Sequence, residues 1–146
     1  MNGMFTDRVK KVMQLAREES VRAMVLTGRG KAFCAGGDIA SMQKRLDAPA
    51  GRIAINGWQR QRRTHHAVAA LHELAKPTVA AVNGAAAGLG CDMALCCDFI
   101  VASENAKFGD THSRVGVMPG WGLTVLLPQA IGVRRAREMS FTGNFM

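Results

Sequence analysis

The chain has 146 residues, 48% of them hydrophobic and 21% charged, with a formal net charge of +8. That length suits one domain with its own core, and the composition predicts a soluble, cytoplasmic protein: every apolar run is broken by Gly, Pro, Asp or Lys before the ~18 residues a membrane span needs. The start Met1-Asn2-Gly3-Met4 lacks the basic-then-apolar order of a secretion signal. Cys34, Cys91, Cys96 and Cys97 form no Cys-x-x-Cys pair, so neither a metal site nor a disulfide framework is expected, and buried, reduced thiols are. The basic clusters Arg60-Gln61-Arg62-Arg63 and Arg134-Arg135-Ala136-Arg137 carry no interleaved aromatics and no nucleic-acid motif. They suit a solvated face or an anionic polyphosphate ligand better than nucleic acid.

In chain order, Phe5, Val9, Val12, Met13 and Ala16 recur at helical spacing behind Thr6-Asp7 as N-cap residues. The run Val21 to Thr27 reads as a buried strand that leaves its sheet through Gly28-Arg29-Gly30. A short helix is expected over Ile39 to Leu46, then a mobile loop around Pro49 and Gly51. A second amphipathic helix carries Ala67, Ala70, Leu71 and Leu74 and stops before Lys76-Pro77. Thr78 to Val82 is a strand turned by Asn83-Gly84, Ala85 to Cys96 a glycine-broken entry into an interior helix, and Phe99 to Ala102 another strand. This alternation predicts an α/β domain with a largely parallel sheet.

Two glycine-rich segments, Ala35-Gly36-Gly37-Asp38 and Gly84 through Gly90, sit where a strand or its exit loop passes into a helix. There, backbone N–H groups are left unpaired and aimed together, a place for negative charge. Tight turns alone also demand glycine, so that reading stays beside the functional one. The order Gly84-x-x-x-Gly88-x-Gly90 does not fit a dinucleotide fingerprint, and no Walker-type Gly-Lys-Ser/Thr occurs.

The stretches Val25-Leu26-Thr27-Gly28, Phe33-Cys34-Ala35-Gly36-Gly37-Asp38, Lys76 through Cys97-Asp98, Ala106-Lys107-Phe108-Gly109 and Gly116-Val117-Met118-Pro119-Gly120 together resemble the enoyl-CoA hydratase/isomerase, or crotonase, family. The resemblance implies an α/β, crotonase-like (ClpP/crotonase) fold of repeated ββα units over residues 1–146. It also implies an oxyanion hole built from the backbone N–H groups of Gly37 and Leu89. Many members carry glycine at the second position, but a main-chain donor survives the change to leucine. Where hydratases of the family hold water with two glutamates, this chain has Asp92 and His112. Asp92 is shorter by one C–C bond, ~1.5 Å, whereas an imidazole exchanges protons near neutral pH. A structural ion pair of Asp92 with Arg114, a hydrogen-bonded turn at His112 and a helix cap at Asp38 are the plainer alternatives.

Ala35, Gly36, Gly37, Asp38, Ile39 and Leu89 are the implied substrate-binding residues, with Lys44 and Arg45 as weaker candidates for the phosphates of coenzyme A. No cofactor or metal is implied, because coenzyme A belongs to the substrate. Homo-trimers or hexamers are the family's assembly. Asn2-Gly3 matches the start of the family's first helix, and Phe141 to Met146 falls near the middle of its usual chain. N-terminal strands and a C-terminal helical region are therefore expected to be missing. Hydration of a trans-2-enoyl-CoA is the leading expectation; isomerisation or thioester hydrolysis, and an inactive acyl-CoA-binding remnant, are the alternatives.

Overall fold

The computed structural model describes residues 3–44 and 46–146. Helix α1 (Gly3–Ala16) precedes strands β1 (Met24–Thr27) and β2 (Ala32–Cys34), followed by helices α2 (Ile39–Lys44) and α3 (Ala50–His72). Next come β3 (Thr78–Val82), β4 (Ala85–Ala87) and α4 (Leu89–Leu95), then β5 (Phe99–Ala102), β6 (Lys107–Gly109), a 3-10 turn (Ser113–Val115), α5 (Leu123–Ile131) and α6 (Val133–Thr142). The strands form two parallel sheets, β1-β3-β5 and β2-β4-β6. Each consecutive strand pair thus gives one strand to each sheet before the chain turns helical, which is the repeated ββα arrangement.

The corner between the two strands of a unit explains two glycines. A methyl group on Gly28 would lie 2.1 Å from the Ala32 carbonyl oxygen, and one on Gly84 would lie 2.2 Å from that of Lys31. Asn83 ties neighbouring corners together by accepting from the Gly28 N–H at 3.1 Å and donating to the Gly30 carbonyl at 2.9 Å. At the opposite end, Asp98 accepts from the Thr78 N–H and hydroxyl at 2.7 and 2.9 Å, fixing where β3 and β5 begin.

The core lies between sheet and helices. Ala80 and Val82 of β3 alternate inward against Val68 and Leu71 of α3, Met13 and Ala16 of α1, and Met93 and Ala94 of α4. Burying a Leu or Val side chain stabilises by ~1.5–3 kcal/mol, so this cluster dominates the fold's stability. A smaller cluster joins Cys91 to Leu123, Leu127, Ala136 and Met139 of α5 and α6.

Several expectations change. Helix α1 already runs from Gly3, so Thr6 and Asp7 lie inside it and do not cap it. The expected first strand begins at Met24, three residues after Val21. The stretch after Pro49 is the first half of the 23-residue α3 rather than a loop. Proline just before the first turn costs the helix no hydrogen bond, and Arg52, Ala54, Gln59 and Arg60 outweigh Gly51 and Gly57. Strands β2, β4 and β6 were not foreseen from periodicity, since three residues carry too little of it. Among the described residues, no helix is long and apolar enough to cross a membrane.

Candidate active site

Because β2, β4 and β6 run parallel and side by side, the three segments that leave their C-terminal ends emerge together. Cys34 of β2 is paired with Ala86, and Ala87 with Gly109 of β6. The first two exits touch: a methyl on Gly36 (φ +94°) would lie 2.9 Å from the Ala87 oxygen, and one on Gly90 would lie 2.2 Å from the Cys34 oxygen. The second and third are fastened by the Gly88 N–H, which donates to the Gly109 carbonyl at 2.8 Å. Gly88 reaches that geometry with φ +51°, which a side chain disfavours. The chain then enters α4, so the amide of Leu89 is the first of the helix and has no residue one turn earlier to bond. Among the described residues, neither Leu89 N–H nor Gly37 N–H has a hydrogen-bond partner.

Gly37 and Leu89 both line a cavity of about 240 Å³, together with Ala35, Gly36, Ile39 and His112. Its remaining wall is largely apolar, with Met42, Val115, Val117, Met118 and Trp121, but α3 adds Arg60 and Gln61. This volume lies below the ~300–1,000 Å³ of drug-sized sites. The His112 ring lies beside the second glycine segment: a methyl on Gly88 would be 3.5 Å from its Cε1 and 3.7 Å from its Nε2. Nδ1 on the other edge is 2.7 Å from Asp110 Oδ1, and the Ser140 hydroxyl donates to Asp110 Oδ2 at 2.7 Å. The His112 N–H also donates to Asp110 Oδ1 at 3.3 Å, so the hydrogen-bonded turn and the placement at the cavity are both present.

The structure does not bring every expected residue to this cavity. Asp92 is fully buried on α4 and is not part of the lining. Among the described residues its carboxylate oxygens have no hydrogen-bond partner, and the ion pair with Arg114 is absent, that guanidinium reaching Asn144 Oδ1 at 3.3 Å. Burial pushes the Asp92 carboxyl up to about 8; the nearby Leu123 N–H opposes this, and the charge of Asp110 adds to it. That N–H donates to the Gly120 carbonyl at 3.1 Å, so its pull on Asp92 is that of a neighbouring dipole. Asp38 also lies outside the lining and caps α2, accepting from the Ser41 hydroxyl and from its N–H at 3.4 Å. The Ser41 hydroxyl, and then its amide, hold the Asp38 carboxyl below the usual carboxylate range. Lys44 is exposed at the end of α2, and Arg45 lies outside the described residues.

Sequence reasoning gave no site role to Asp110, Ser140 or Trp121, and it named Arg60 and Gln61 only within a basic cluster suited to a solvated face or a polyphosphate ligand. Trp121 holds φ +52° between two glycines, uncommon for a bulky residue, with its ring centroid 5.9 Å from that of His112. Gly120-Trp121-Gly122 was the available signal for it. Among the described residues, no three His, Cys, Asp or Glu side chains gather to hold a metal ion.

A sequence model described as enoyl-CoA hydratase/isomerase matches residues 1–146. The chain belongs to the enoyl-CoA hydratase/isomerase family. It is 44% identical over 131 residues to a Rhizobium meliloti protein named "Probable enoyl-CoA hydratase", covering 88% of this chain and 47% of that one. To the 1,2-epoxyphenylacetyl-CoA isomerase of Escherichia coli it is 38% identical over 131 residues, covering 90% and 49%. A crystal structure of an enoyl-CoA hydratase subunit I from Geobacillus kaustophilus superposes with a TM-score of 0.81 at 41% identity, covering 98% of this chain and 52% of that one. The fold is α/β and crotonase-like, and the chain spans about half the length of the relatives it matches.

Proposed function

We propose that this site processes acyl-CoA thioesters, and that its reaction is hydration of a trans-2-enoyl-CoA to the 3-hydroxyacyl-CoA. The observation that carries the reading is the meeting of two unpaired amides, Gly37 and Leu89, with the His112 imidazole at one small, mostly apolar cavity. The thioester oxygen accepts from both amides, with the acyl group against Ile39, Met42 and Trp121 and the coenzyme A entering past Ala35 and Gly36. His112 Nε2 takes a proton from water as the water oxygen bonds to C3. The π electrons of the double bond move onto the thioester oxygen as an enolate. Reforming the carbonyl lets C2 collect the proton from His112, so one water is added and the imidazole is restored. Each amide is worth ~10²–10³ in rate because the charge it meets exists fully only along the reaction path.

The test is loss of the conjugated enoyl absorbance of crotonyl-CoA, with the hydroxyacyl product identified by chromatography. Replacing His112 with Ala is expected to slow turnover ~10²–10⁴-fold. Hydration unaffected by His112→Ala sinks the proton assignment, and calorimetric binding of crotonyl-CoA without any turnover supports the acyl-CoA-binding alternative instead. A second reading, migration of the double bond, is favoured by the position of Asp92 outside the lining. One base suffices to move a proton between two carbons of the same acyl chain. A 3-enoyl-CoA converted to the conjugated isomer faster than crotonyl-CoA is hydrated would select it. The proposed setting is the cytoplasm, which suits four free thiols.

A further inference from the structure

The two buried carboxylates next to the cavity have opposite surroundings. Asp92 has no hydrogen-bond partner among the described residues, whereas Asp110, equally buried, accepts from the Ser140 hydroxyl, the His112 backbone and the His112 ring. These contacts link α6, the exit of β6 and the cavity wall in one line: Ser140 Oγ to Asp110 Oδ2 at 2.7 Å, Asp110 Oδ1 to His112 Nδ1 at 2.7 Å. A carboxylate only accepts, and two donors already hold it from the backbone and from α6. Facing such an acceptor, the ring nitrogen makes its hydrogen bond by carrying the hydrogen. In a neutral imidazole, that leaves the lone pair on Nε2, the edge that lies against Gly88.

We propose that Asp110 and Ser140 are positioning residues that hold His112 as its Nδ1–H tautomer, with Nε2 presented to the acyl group as the proton acceptor. The role rests on the reading of His112 as the site's base, but the tautomer is observable without turnover. Asp110 fixes which nitrogen is protonated and the plane of the ring. Ser140, 30 residues further along the chain, fixes the carboxylate by occupying the oxygen that does not meet the ring. Asp92 does not substitute: it lies outside the cavity lining, burial disfavours its charged form, and among the described residues no donor orients it. The line joins the segment after β6 to α6, so its geometry depends on α6 docking beside β6.

The experiment is ¹⁵N-histidine NMR of the whole chain at a pH where His112 is neutral, with His112→Gln assigning the signal, beside crotonyl-CoA kinetics. The expected wild-type pattern is a protonated Nδ1 and a bare Nε2. Asp110→Asn turns an amide NH₂ towards the ring and is expected to shift the population to Nε2–H and lower kcat by ~10²–10⁴-fold with little change in KM. Ser140→Ala keeps the tautomer and loses ~3–10-fold in kcat, as expected for one hydrogen bond. If Asp110→Asn does not fold, Ser140→Ala and the wild-type tautomer still decide. In a His112→Ala background, Asp110→Asn is expected to cause no further loss, because its effect passes through the ring. A wild-type Nε2–H tautomer, unchanged kcat in Asp110→Asn, or a full additional loss in the His112→Ala background overturns the proposal. A chain with the Nδ1–H pattern and no turnover sinks the hydratase reading and leaves the positioning inference standing.

Discussion

The sheets β1-β3-β5 and β2-β4-β6 come from the same repeating unit, yet one serves as scaffold and the other carries the site. In the first, strands of four or five residues stay in unbroken register, Met24 to Thr27 against Thr78 to Ala81 and Val79 to Val82 against Phe99 to Ala102. In the second, strands are three residues long and the register shifts between Ala32 and Cys34. A long strand spends its amides on its neighbours, while a short one delivers its following residues to the cavity at its end with amides still unpaired. Gly37 and Leu89 are such residues. The candidate site gathers at the sheet with the shorter strands, while the longer strands of the other carry the more regular ladder.

The largest effect expected from testing this division concerns Asp92, which is buried beside the site but belongs to the support. Its folded-state carboxyl holds a proton up to about 8, while in the unfolded chain it loses that proton near its ordinary value of 3.8. Between those values the unfolded state binds fewer protons. Stability therefore falls as pH rises through the window, by up to ~1.4 kcal/mol per pH unit from this group, and levels off above it. Asp92→Asn should remove that slope, so that urea midpoints of variant and wild type diverge steadily from about pH 5 to about pH 8. Parallel profiles would show Asp92 ionised and paired. Next in size, Leu71→Ala on the scaffold side should cost ~2–5 kcal/mol by leaving a cavity under β3. Turnover per folded molecule should be unchanged; a collapse of kcat at full folding would mean the two sides are not separable.

The same division decides what could be read from the letters. Thr78–Val82 and Phe99–Ala102 were legible because four or five β-rich residues between turn signals are enough for a strand. Ala32–Cys34, Ala85–Ala87 and Lys107–Gly109 were not, since their pairing is set by neighbours far along the chain. The Pro49–Gly51 stretch misled because two turn residues hid the helix-forming run behind them. At the site, Gly37, Leu89 and His112 were named from the sequence and line one cavity, whereas Asp92 was named and lies behind it. Side-chain reach along a helix is not written in a motif. Ser140 was invisible because nothing local links it to Asp110; only the docking of α6 makes them neighbours.

Glycines give a finer contrast. Gly84→Ala places a methyl 2.2 Å from the Lys31 backbone oxygen, which cannot move without parting the two sheets, and should cost roughly 3 kcal/mol in a denaturation experiment. Gly120→Ala places one 3.3 Å from the Gln61 Nε2, the end of a side chain on the cavity wall. That side chain gives way, so stability should change by under ~1 kcal/mol, while the narrowed cavity raises KM for longer acyl chains more than for crotonyl-CoA.

The smallest effect lies outside both sheets. Arg62 rests its guanidinium 4.9 Å from the Trp58 ring centroid on the exposed face of α3. Arg62→Ala should lower the melting midpoint by the equivalent of ~0.5–1 kcal/mol, the worth of an exposed cation–π pair. It should leave crotonyl-CoA kinetics unchanged, since neither residue lines the cavity. A rise in KM with kcat preserved would instead extend the binding surface along α3 past Gln61. The boundary between scaffold and site would then fall on the helix rather than between the sheets.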